Sequence, residues 1–416
     1  MTDQIPRTGG LDSSAALLRE GYTFGAARFL RTGSDAFETR LMLRPAVVAH
    51  GAEAARLLYE PDLMTRRRAL PPTTLTLLQD FRSVELLDEQ PHRHRKAMFM
   101  SLMTPRALGE LADSVEEEWR AGLERWARTG DVVLFDVVRE VLCRAVCAWA
   151  GVPLRTEEVA VRTGQLSAMV EGAGSVGPRN VRGQVLRHRA ERWAGEMVHR
   201  VRDGELAVDG DRAVRVIAEH RDDEGRLLDA ETARVELLNV LRPTVAVSRY
   251  VVFAALALLR HPEARLRVAT DDQYLRWFVQ EVRRYYPFFP MVGGRAREEF
   301  DWRGRRFGRG SWFLLDIYAT NHDRRIWEEP AAFAPERFAA WDGGPYDFVP
   351  QGGGDFDAGH RCAGEWLTIT LVERAVRLLT TAMAYEVPLQ DLGIDLSRMP
   401  AAPASGVRLS RVRPTG

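Results

Sequence analysis

A glycine-rich, irregular stretch at residues 343–359 runs directly into a helical segment that starts near Cys362. Around this cysteine the sequence reads FVPQGGGDFDAGHRCAGE, over residues 348–365. Glycines let the backbone approach a flat ligand closely, because they carry no side chain. A helix N-terminus, together with the neighbouring His360 and Arg361, lowers the pKa of a thiol and favours the thiolate. The stretch therefore predicts a ligating cysteine at the edge of a flat, backbone-lined site, with a buried structural cysteine as the alternative.

A single thiolate beside a wide, glycine-lined loop suits the iron of haem b, with Cys362 as its axial ligand. The other two cysteines, Cys143 and Cys147, stand four residues apart on an apolar helical segment, so we expect them in the core. Three cysteines are too few to cross-link a chain of 416 residues. His92 and His94 could also indicate a metal site, but no third ligand lies near them in the sequence.

Helical periodicity dominates the chain, and strand signals are few and short. The helical segments are residues 105–128, 132–151, 187–203, 230–260, 273–286 and 363–385. The strand signals are a hairpin at residues 300–312 around Gly304, a short strand at 311–317 and an extended pair near 406–412. Since no linker rich in proline, glycine or serine divides the chain, we predict a mainly α protein with small β-sheets. One large domain is expected at residues 22–416, after an N-terminal extension at residues 1–21.

The charge balance excludes several kinds of partner. The 58 basic and 58 acidic residues cancel, so no basic excess indicates nucleic acid.

The first residues lack an apolar run after a basic start, so we expect no signal peptide. The longest apolar stretch, near residues 251–259, is far shorter than a membrane span. A cytoplasmic protein with no nucleic-acid partner and no membrane span is therefore expected.

Three motifs, in order along the chain, resemble those of the cytochrome P450 superfamily. The loop before Cys362 is similar to the superfamily's cysteine-ligand loop, and the sequence EVRR at residues 281–284 matches its Glu-x-x-Arg element. The later sequence PERF at residues 335–338 matches a third signature. The resemblance implies a cytochrome P450 fold in which Glu281, Arg284 and Arg337 form a buried ion triad behind the haem. A solvated i,i+3 ion pair is the alternative for Glu281 and Arg284.

The details of the loop resemble one branch of the superfamily. Asp355 stands seven residues before the cysteine, where phenylalanine is usual, and His360 takes the basic position two residues before it. The GGGD form that ends in GHRCAGE resembles the bacterial fatty-acid peroxygenases, which hydroxylate or decarboxylate fatty acids with hydrogen peroxide. The sequence QEVRRYYPFFP at residues 280–290 is similar to that branch too, and the resemblance extends from about Tyr22 to Pro414.

The long helical segment at residues 230–260 carries Pro243 in its middle, which predicts a kink. Superfamily members that activate dioxygen carry an acid–alcohol pair at the positions that Arg242 and Pro243 occupy here. Neither residue can relay a proton, and Thr244 follows one position late. An arginine on an apolar helix face needs an anion, and its guanidinium matches a carboxylate in bidentate geometry. An ion pair with an acidic side chain of the protein is one possibility; the resemblance implies instead that Arg242 and Pro243 bind a fatty acid.

The resemblance thus implies a haem-thiolate peroxygenase for long-chain fatty acids. The substrate carboxylate, held by Arg242, would act as the general acid–base that the protein lacks. Hydroxylation at Cα or Cβ is expected, together with decarboxylation to a terminal alkene. The partners would be a fatty acid and hydrogen peroxide, without a redox partner. The alternatives are a cytochrome P450 monooxygenase that depends on a redox partner, and a non-catalytic haem-binding sensor.

Further site residues follow from the resemblance. His92 and Lys96, which are spaced i,i+4, would bind the haem propionates with help from Arg66; a solvated helix face is the alternative. His360, Gln351 and Gly354 complete the expected cofactor-binding set. The predicted lining of an apolar substrate tunnel is Leu78, Val170, Ala173, Phe288, Phe289 and Val292, for each of which ordinary core packing is the alternative.

Glu85 lies seven residues before His92, at a position above the haem in the peroxygenase branch. That branch has glutamine or histidine there, and the position is thought to influence hydroxylation against decarboxylation. A glutamate could compete for Arg242, or donate a proton if burial raised its pKa. The register also allows Leu86 or Leu87 to face the haem instead. Ala173 stands where the branch often has an aromatic residue, so a wider tunnel is expected.

Overall fold

The computed structural model describes residues 4–60 and 62–415, which are mostly helical. The α-helices are α1 (Ser14–Glu20), α2 (Thr23–Thr32), α3 (Ala52–Tyr59), α4 (Pro72–Leu78), α5 (Glu89–Leu102), α6 (Pro105–Thr129), α7 (Leu134–Ala150), α8 (Val159–Ala173), α9 (Pro178–Arg202), α10 (Ala213–Ala218), α11 (Ala230–Ala246), α12 (Ser248–Arg260), α13 (Pro262–Thr270), α14 (Asp272–Tyr285), α15 (Ile317–Asn321) and α16 (Glu365–Arg377). The predicted mainly α architecture with small sheets in a single large domain is confirmed.

The strands form three small sheets. They are β1 (Ala36–Leu41), β2 (Arg44–Ala49), β3 (Met64–Thr65), β4 (Val132–Val133), β5 (Met291–Ala296), β6 (Phe300–Trp302), β7 (Arg305–Phe307), β8 (Trp312–Asp316), β9 (Met383–Glu386) and β10 (Arg408–Pro414). The largest sheet has the order β1-β2-β8-β5-β3, with β2 and β8 parallel and the other neighbours antiparallel. Its central strand β8 is buried along its whole length, which explains its continuous apolar sequence.

Most predicted elements are present, with different ends. The hairpin around Gly304 is β6–β7, and the predicted strand at 311–317 is β8. The last helix is shorter than predicted: it ends at Arg377, and one turn of π-helix leads into β9. The Thr380 and Thr381 hydroxyls donate to backbone carbonyls one turn earlier, and β9 then pairs with β10. The strands β1 and β2 went unpredicted.

Helices α11 and α12 cross the centre of the fold, between α7, α8 and α9 on one side and α14 and α16 on the other. Pro243 lies inside α11, yet the helix breaks one turn later, at Val247. There the Val247 N–H donates to the Thr244 carbonyl, 3.2 Å away, in a tighter turn. By length and composition alone, the 31-residue stretch Ala230–Arg260 could cross a membrane, although only the shorter apolar run near residues 251–259 stands out in the sequence. Because 89% of its apolar window is buried inside the protein, we interpret it as a core helix.

The N-terminal segment packs against the largest sheet. The Thr8 N–H donates to the Glu38 carbonyl, and the Ser13 N–H donates to the Arg40 carbonyl, both at 2.8 Å. Residues 6–13 therefore lie along the edge strand β1, while residues 1–3 of the predicted extension lie outside the described residues. A domain boundary at residue 22 remains a prediction.

Candidate active site

A cavity of about 330 Å³ lies between the central helix α11 and the loop before α16. Helix α11 contributes Arg242, Pro243 and Thr244 to its wall, and the loop contributes Cys362. Most of the remaining lining is apolar. All six residues predicted for a substrate tunnel line this cavity: Leu78, Val170, Ala173, Phe288, Phe289 and Val292.

Backbone and amide contacts fix the loop that carries Cys362. The cysteine N–H donates to the Gln351 carbonyl at 3.0 Å, and Gln351 Nε2 lies 3.8 Å from the cysteine Sγ. The same Nε2 donates to Thr368 Oγ1 at 3.0 Å. Gly352 has a φ of 98°, and a Cβ there would lie 3.0 Å from Tyr59 Oη. Glycine at this position therefore lets the loop pack against the end of α3.

The thiol itself does not show the lowered pKa that the sequence predicts. Burial raises the pKa of the Cys362 thiol, and the Glu85 carboxylate adds to this effect. Lys96 and the Gly364 N–H act in the opposite direction but are outweighed. For the polypeptide alone, the predicted lowering of the pKa of Cys362 is thus wrong. The thiolate loses more by giving up its hydration than it gains from the helix N-terminus. A coordinated metal cation reverses the balance, since it deprotonates a bound thiol.

The predicted ion triad is present and buried. Arg284 Nε and Nη2 donate to the two Glu281 carboxylate oxygens at 2.6 and 2.7 Å, and Arg337 Nε donates to Glu281 Oε1 at 3.2 Å. Arg284 also donates to the carbonyls of Asn321, Pro330 and Ala332. Both charges of the central pair are fully buried and bidentate, so the alternative of a solvated i,i+3 pair is wrong.

A second buried ion cluster, which the sequence did not predict, lies beside the cysteine. Glu365, the first residue of α16, accepts from Arg283 Nη2 and from Arg361 Nε, each at 2.5 Å. Arg283 also donates to Gln351 Oε1 at 3.1 Å. The cluster ties α14 to the cysteine loop. The sequence signal that could have indicated this cluster is Arg283 in the EVRR motif. The resemblance assigned a role to its neighbour Arg284 but none to Arg283.

Two residues of the predicted propionate-binding set, His92 and Lys96, meet at the cavity wall, together with His360 and Glu85. The rings of His92 and His360 lie in contact, with centroids 3.9 Å apart and planes tilted by 32°, and Lys96 Nζ donates to the Arg361 carbonyl. Burial, followed by the adjacent His360 ring, lowers the pKa of His92 to about 4. His92 is therefore neutral near pH 7.

Glu85 contacts this cluster and forms no ion pair with Arg242 among the described residues. Its Oε2 lies 3.9 Å from His360 Nδ1. Burial pushes the pKa of Glu85 upward, but the His360 ring, Lys96 and His92 outweigh it, so the pKa is lowered. The idea that burial would make Glu85 a proton donor is therefore wrong for the polypeptide alone. Glu85 lines the cavity as a carboxylate.

Arg242 presents a buried cation to the cavity. Its exposed fraction is 5%, its Nη2 donates to Asn239 Oδ1 at 2.9 Å, and its Nη1 has no hydrogen-bond partner among the described residues. Burial, followed by the charge of Arg187, lowers the pKa of Arg242 to about 9, so the group is still protonated at pH 7. No described carboxylate forms an ion pair with it, so the alternative of an internal ion pair is not realised.

The residues beside Arg242 offer no proton relay. Pro243 is exposed to the cavity and has no side-chain donor. The Thr244 hydroxyl donates to the Val240 carbonyl at 2.8 Å, within its own helix. At this point the cavity wall therefore consists of the Arg242 guanidinium and the apolar ring of Pro243.

Comparisons with known proteins agree with this geometry. Residues 263–379 match the family description "Cytochrome P450". A structure of cytochrome P450SP alpha has a TM-score of 0.96 and 43% identity, and the match covers 98% of this chain and 100% of that one. The chain belongs to the cytochrome P450 family. A structure of cytochrome P450EX alpha with myristic acid has a TM-score of 0.95 and 43% identity, covering 99% of this P450 and 100% of that chain.

Curated sequences match this P450 over shorter stretches. The mitochondrial cytochrome P450 4e5 of Drosophila mettleri is 29% identical over 152 residues, which are 30% of this chain and 28% of that one. This P450 thus spans under a third of the first curated relative that it matches. Its whole-chain likeness is to the fatty-acid peroxygenase branch, as the motifs predicted.

The cofactor of the family is haem b with a cysteine thiolate ligand, and this P450 has the residues to hold it. Cys362 faces the cavity, and Gly352 and Gly359 line it with backbone. Lys96 is a buried cation, and His360 Nδ1 is buried without a hydrogen-bond partner among the described residues. These groups are suited to pair with the propionates of a haem.

Two members of the predicted cofactor-binding set lie outside the cavity lining of the P450. Arg66 donates from Nη1 to the Gly293 carbonyl at 2.9 Å and lies over the Tyr59 ring, 4.7 Å from its centroid. Tyr59, not Arg66, lines the cavity. Gly354 packs against Tyr59 with a φ of 79°, so it shapes the loop from behind. Sequence reasoning missed Tyr59 and Asn239, since neither belongs to a motif.

Proposed function

We propose that this protein is a hydrogen-peroxide-dependent fatty-acid peroxygenase that hydroxylates long-chain fatty acids at Cα or Cβ and decarboxylates a part of them to terminal alkenes. One observation carries the proposal: the buried guanidinium of Arg242 faces an apolar cavity without a carboxylate partner among the described residues. A fatty acid supplies both the carboxylate and the apolar chain that such a site requires. The relative P450EX alpha was solved with myristic acid, which is a fatty acid.

The roles of the residues follow from their places. Arg242 binds the substrate carboxylate, and the apolar lining, which includes Phe288 and Phe289, buries the alkyl chain. The haem, when bound, supplies the peroxide-driven oxidation of a C–H bond. Because Pro243 and Thr244 offer no free donor, the carboxylate oxygen held by Arg242 is the acid–base group that moves a proton to or from peroxide. The carbons nearest the carboxylate are then nearest the oxidising centre, which explains Cα or Cβ selectivity.

Peroxide replaces a reductase in this scheme, so we propose that the enzyme needs no redox partner. We expect it to act in the cytoplasm without nucleic acid. The absence of an acid–alcohol pair at Arg242 and Pro243 argues against a monooxygenase fed by a redox partner.

The proposed function is tested with purified haem-loaded protein, myristic acid and hydrogen peroxide, without a reductase. We expect 2- or 3-hydroxy acids, and a minor alkene, detected by gas chromatography and mass spectrometry. Product formation only with a reductase and a reduced nicotinamide would establish a monooxygenase instead. No product under either condition would leave a haem-binding sensor. A reduced carbon monoxide difference spectrum of the same preparation verifies thiolate ligation.

Replacing Glu85 with glutamine is expected to tighten fatty-acid binding by roughly fivefold and to shift the ratio of hydroxy acid to alkene. The substitution removes a carboxylate that lines the cavity and whose charge acts on Arg242. Repulsion between two carboxylates at such a site is worth on the order of 1 kcal/mol. The measurements are a spectral titration with myristic acid and the product ratio. The matched control is Glu89→Gln, because Glu89 is an exposed residue of α5 that pairs with Arg297. Unchanged affinity and product ratio in Glu85→Gln would show that Glu85 has no role in substrate binding.

A further inference from the structure

One face of α11 carries a line of polar side chains that ends at Arg242. Glu236, Asn239 and Arg242 are spaced three residues apart, so they lie above one another on the helix. The only hydrogen bond of the Arg242 guanidinium among the described residues is the one from Nη2 to Asn239 Oδ1, at 2.9 Å. The direction in which Arg242 points therefore depends on Asn239.

The orientation of the Asn239 amide is in turn fixed by Glu236. Asn239 Nδ2 donates to Glu236 Oε2 at 2.8 Å, which leaves Oδ1 to accept from Arg242. A flipped amide would place its NH₂ group against the guanidinium and its oxygen against the carboxylate. Both of those contacts are repulsive, so one orientation alone satisfies the three groups.

Glu236 is anchored from two other elements. It is fully buried, and its Oε1 accepts from Arg95 Nη1 on α5 at 2.9 Å and from the Val84 N–H at 2.8 Å. All of its contacts are donors, which is the arrangement that an ionised carboxylate requires. Arg95, Glu236 and Arg242 thus form a buried row with one positive charge left over, at the end that faces the cavity.

The same row holds the turn that carries Glu85. Asn239 Nδ2 also lies 3.1 Å from Ser83 Oγ, and this oxygen accepts from the Glu85 N–H at 3.3 Å. Ser83 is fully buried, so these are the contacts available to its hydroxyl. One hydrogen-bond network therefore fixes both the Arg242 guanidinium and the turn that carries Glu85.

We infer that Glu236 and Asn239 are positioning residues that aim Arg242 and thereby set which carbon of the fatty acid is oxidised. The inference rests on the proposed function, because it takes the Arg242 guanidinium as the carboxylate site. A guanidinium released from Asn239 can rotate about its terminal bonds, which moves the bound carboxylate along the cavity. The consequence is weaker binding of the acid and a less selective choice between Cα and Cβ.

The experiment compares Asn239→Leu with the parent enzyme, both loaded with haem. Leucine has nearly the shape of asparagine and leaves the Arg95–Glu236 pair in place. We expect the dissociation constant of myristic acid to rise roughly tenfold, the value for a lost hydrogen bond to a charged group. The ratio of 2-hydroxy to 3-hydroxy acid is expected to change as well. Methyl myristate, which has no carboxylate, is expected to bind within about twofold of the parent, a result that general damage to the cavity would not produce.

Glu236→Gln is the second variant, and Glu231→Gln is its matched control. The favoured glutamine orientation keeps the amide oxygen against Arg95 and Val84 and turns the NH₂ group toward Asn239 Nδ2. That contact becomes a donor–donor conflict, which disturbs the Asn239 amide, so we expect weaker binding of the acid. Glu231 lies in the first turn of the same helix, is exposed and pairs with Arg82. Its replacement is expected to leave the affinity for the acid and the product ratio unchanged.

A double-mutant cycle with Arg242→Leu separates this inference from the proposed function. In the Arg242→Leu background, Asn239→Leu is expected to have no further effect on acid binding. Additive effects, or a parent-like affinity and product ratio in Asn239→Leu, would overturn the positioning role while the function stands. If Arg242→Leu itself binds the acid and the ester as the parent does, the carboxylate site and therefore the proposed function are wrong.

Discussion

Replacing Arg242 with leucine is expected to lower peroxide-driven turnover of myristic acid by at least about a thousandfold while the haem stays bound. The substitution removes a cation that is 95% buried and that has no carboxylate partner among the described residues. A carboxylate entering the leucine variant would lose its hydration without gaining an ion pair. The reaction would then lose its acid–base group, an effect of about 10² to 10⁴ in rate, in addition to the loss in binding.

Initial rates at saturating peroxide and the absorption spectrum of the haem are the two measurements. Arg242→Lys keeps the charge but not the planar fork, so an intermediate rate is expected. Arg234→Leu is the matched control, since Arg234 lies on the same helix α11 and its ion pair with Glu231 is long, at 4.0 Å. Parent-like turnover in Arg242→Leu would contradict the assignment of the carboxylate site. Loss of haem in that variant would assign Arg242 a structural role.

The second large effect is expected for Glu281→Ala, which should destabilise the folded protein by on the order of 3–5 kcal/mol. Arg284 is fully buried and donates from Nε and Nη2 to the two oxygens of the Glu281 carboxylate, so the change leaves it without an anion. Arg337 loses the same partner. The thermal unfolding midpoint and the rate of haem release both report the loss, and we expect the variant to release haem faster than the parent.

The control for Glu281→Ala comes from the PERF motif itself. Glu336 is half-exposed and pairs with Arg267 at the surface, so Glu336→Ala is expected to change the midpoint little. A Glu281→Ala protein as stable as the parent would show that the buried carboxylate contributes no net stability. Glu281→Gln, which keeps the shape and one acceptor oxygen, is expected to fall between the two.

The sequence predicts those parts of the site that lie in contiguous motifs. The EVRR and PERF motifs contain the whole ion triad, and the segment at residues 348–365 contains Cys362 together with Gln351, which contacts it. Arg242 could be recognised because it replaces an acid on an apolar helix. Each of these signals depends on residues that are close in the sequence.

Other features depend on contacts between distant segments and could not be predicted in this way. Tyr59 packs against Gly352 across almost 300 residues of sequence. The direction of the shift in the pKa of Cys362 depends on burial, which no local motif encodes. The last helix ends at Arg377 because β9 pairs with β10, although its periodicity continues. The break at Val247 lies one turn after Pro243, so the position of the proline alone does not predict it.

The lone guanidinium in the cavity links the stability of the fold to its substrate. A buried cation without an anion is a cost to the folded state, and a fatty acid relieves that cost by binding to the folded state alone. Binding at a concentration 100 times the dissociation constant raises the free energy of unfolding by about 2.7 kcal/mol. Heat resistance of the protein thus becomes a measure of how well a given chain length fills the cavity. In the cell, the lifetime of the enzyme would then rise and fall with the supply of free fatty acid.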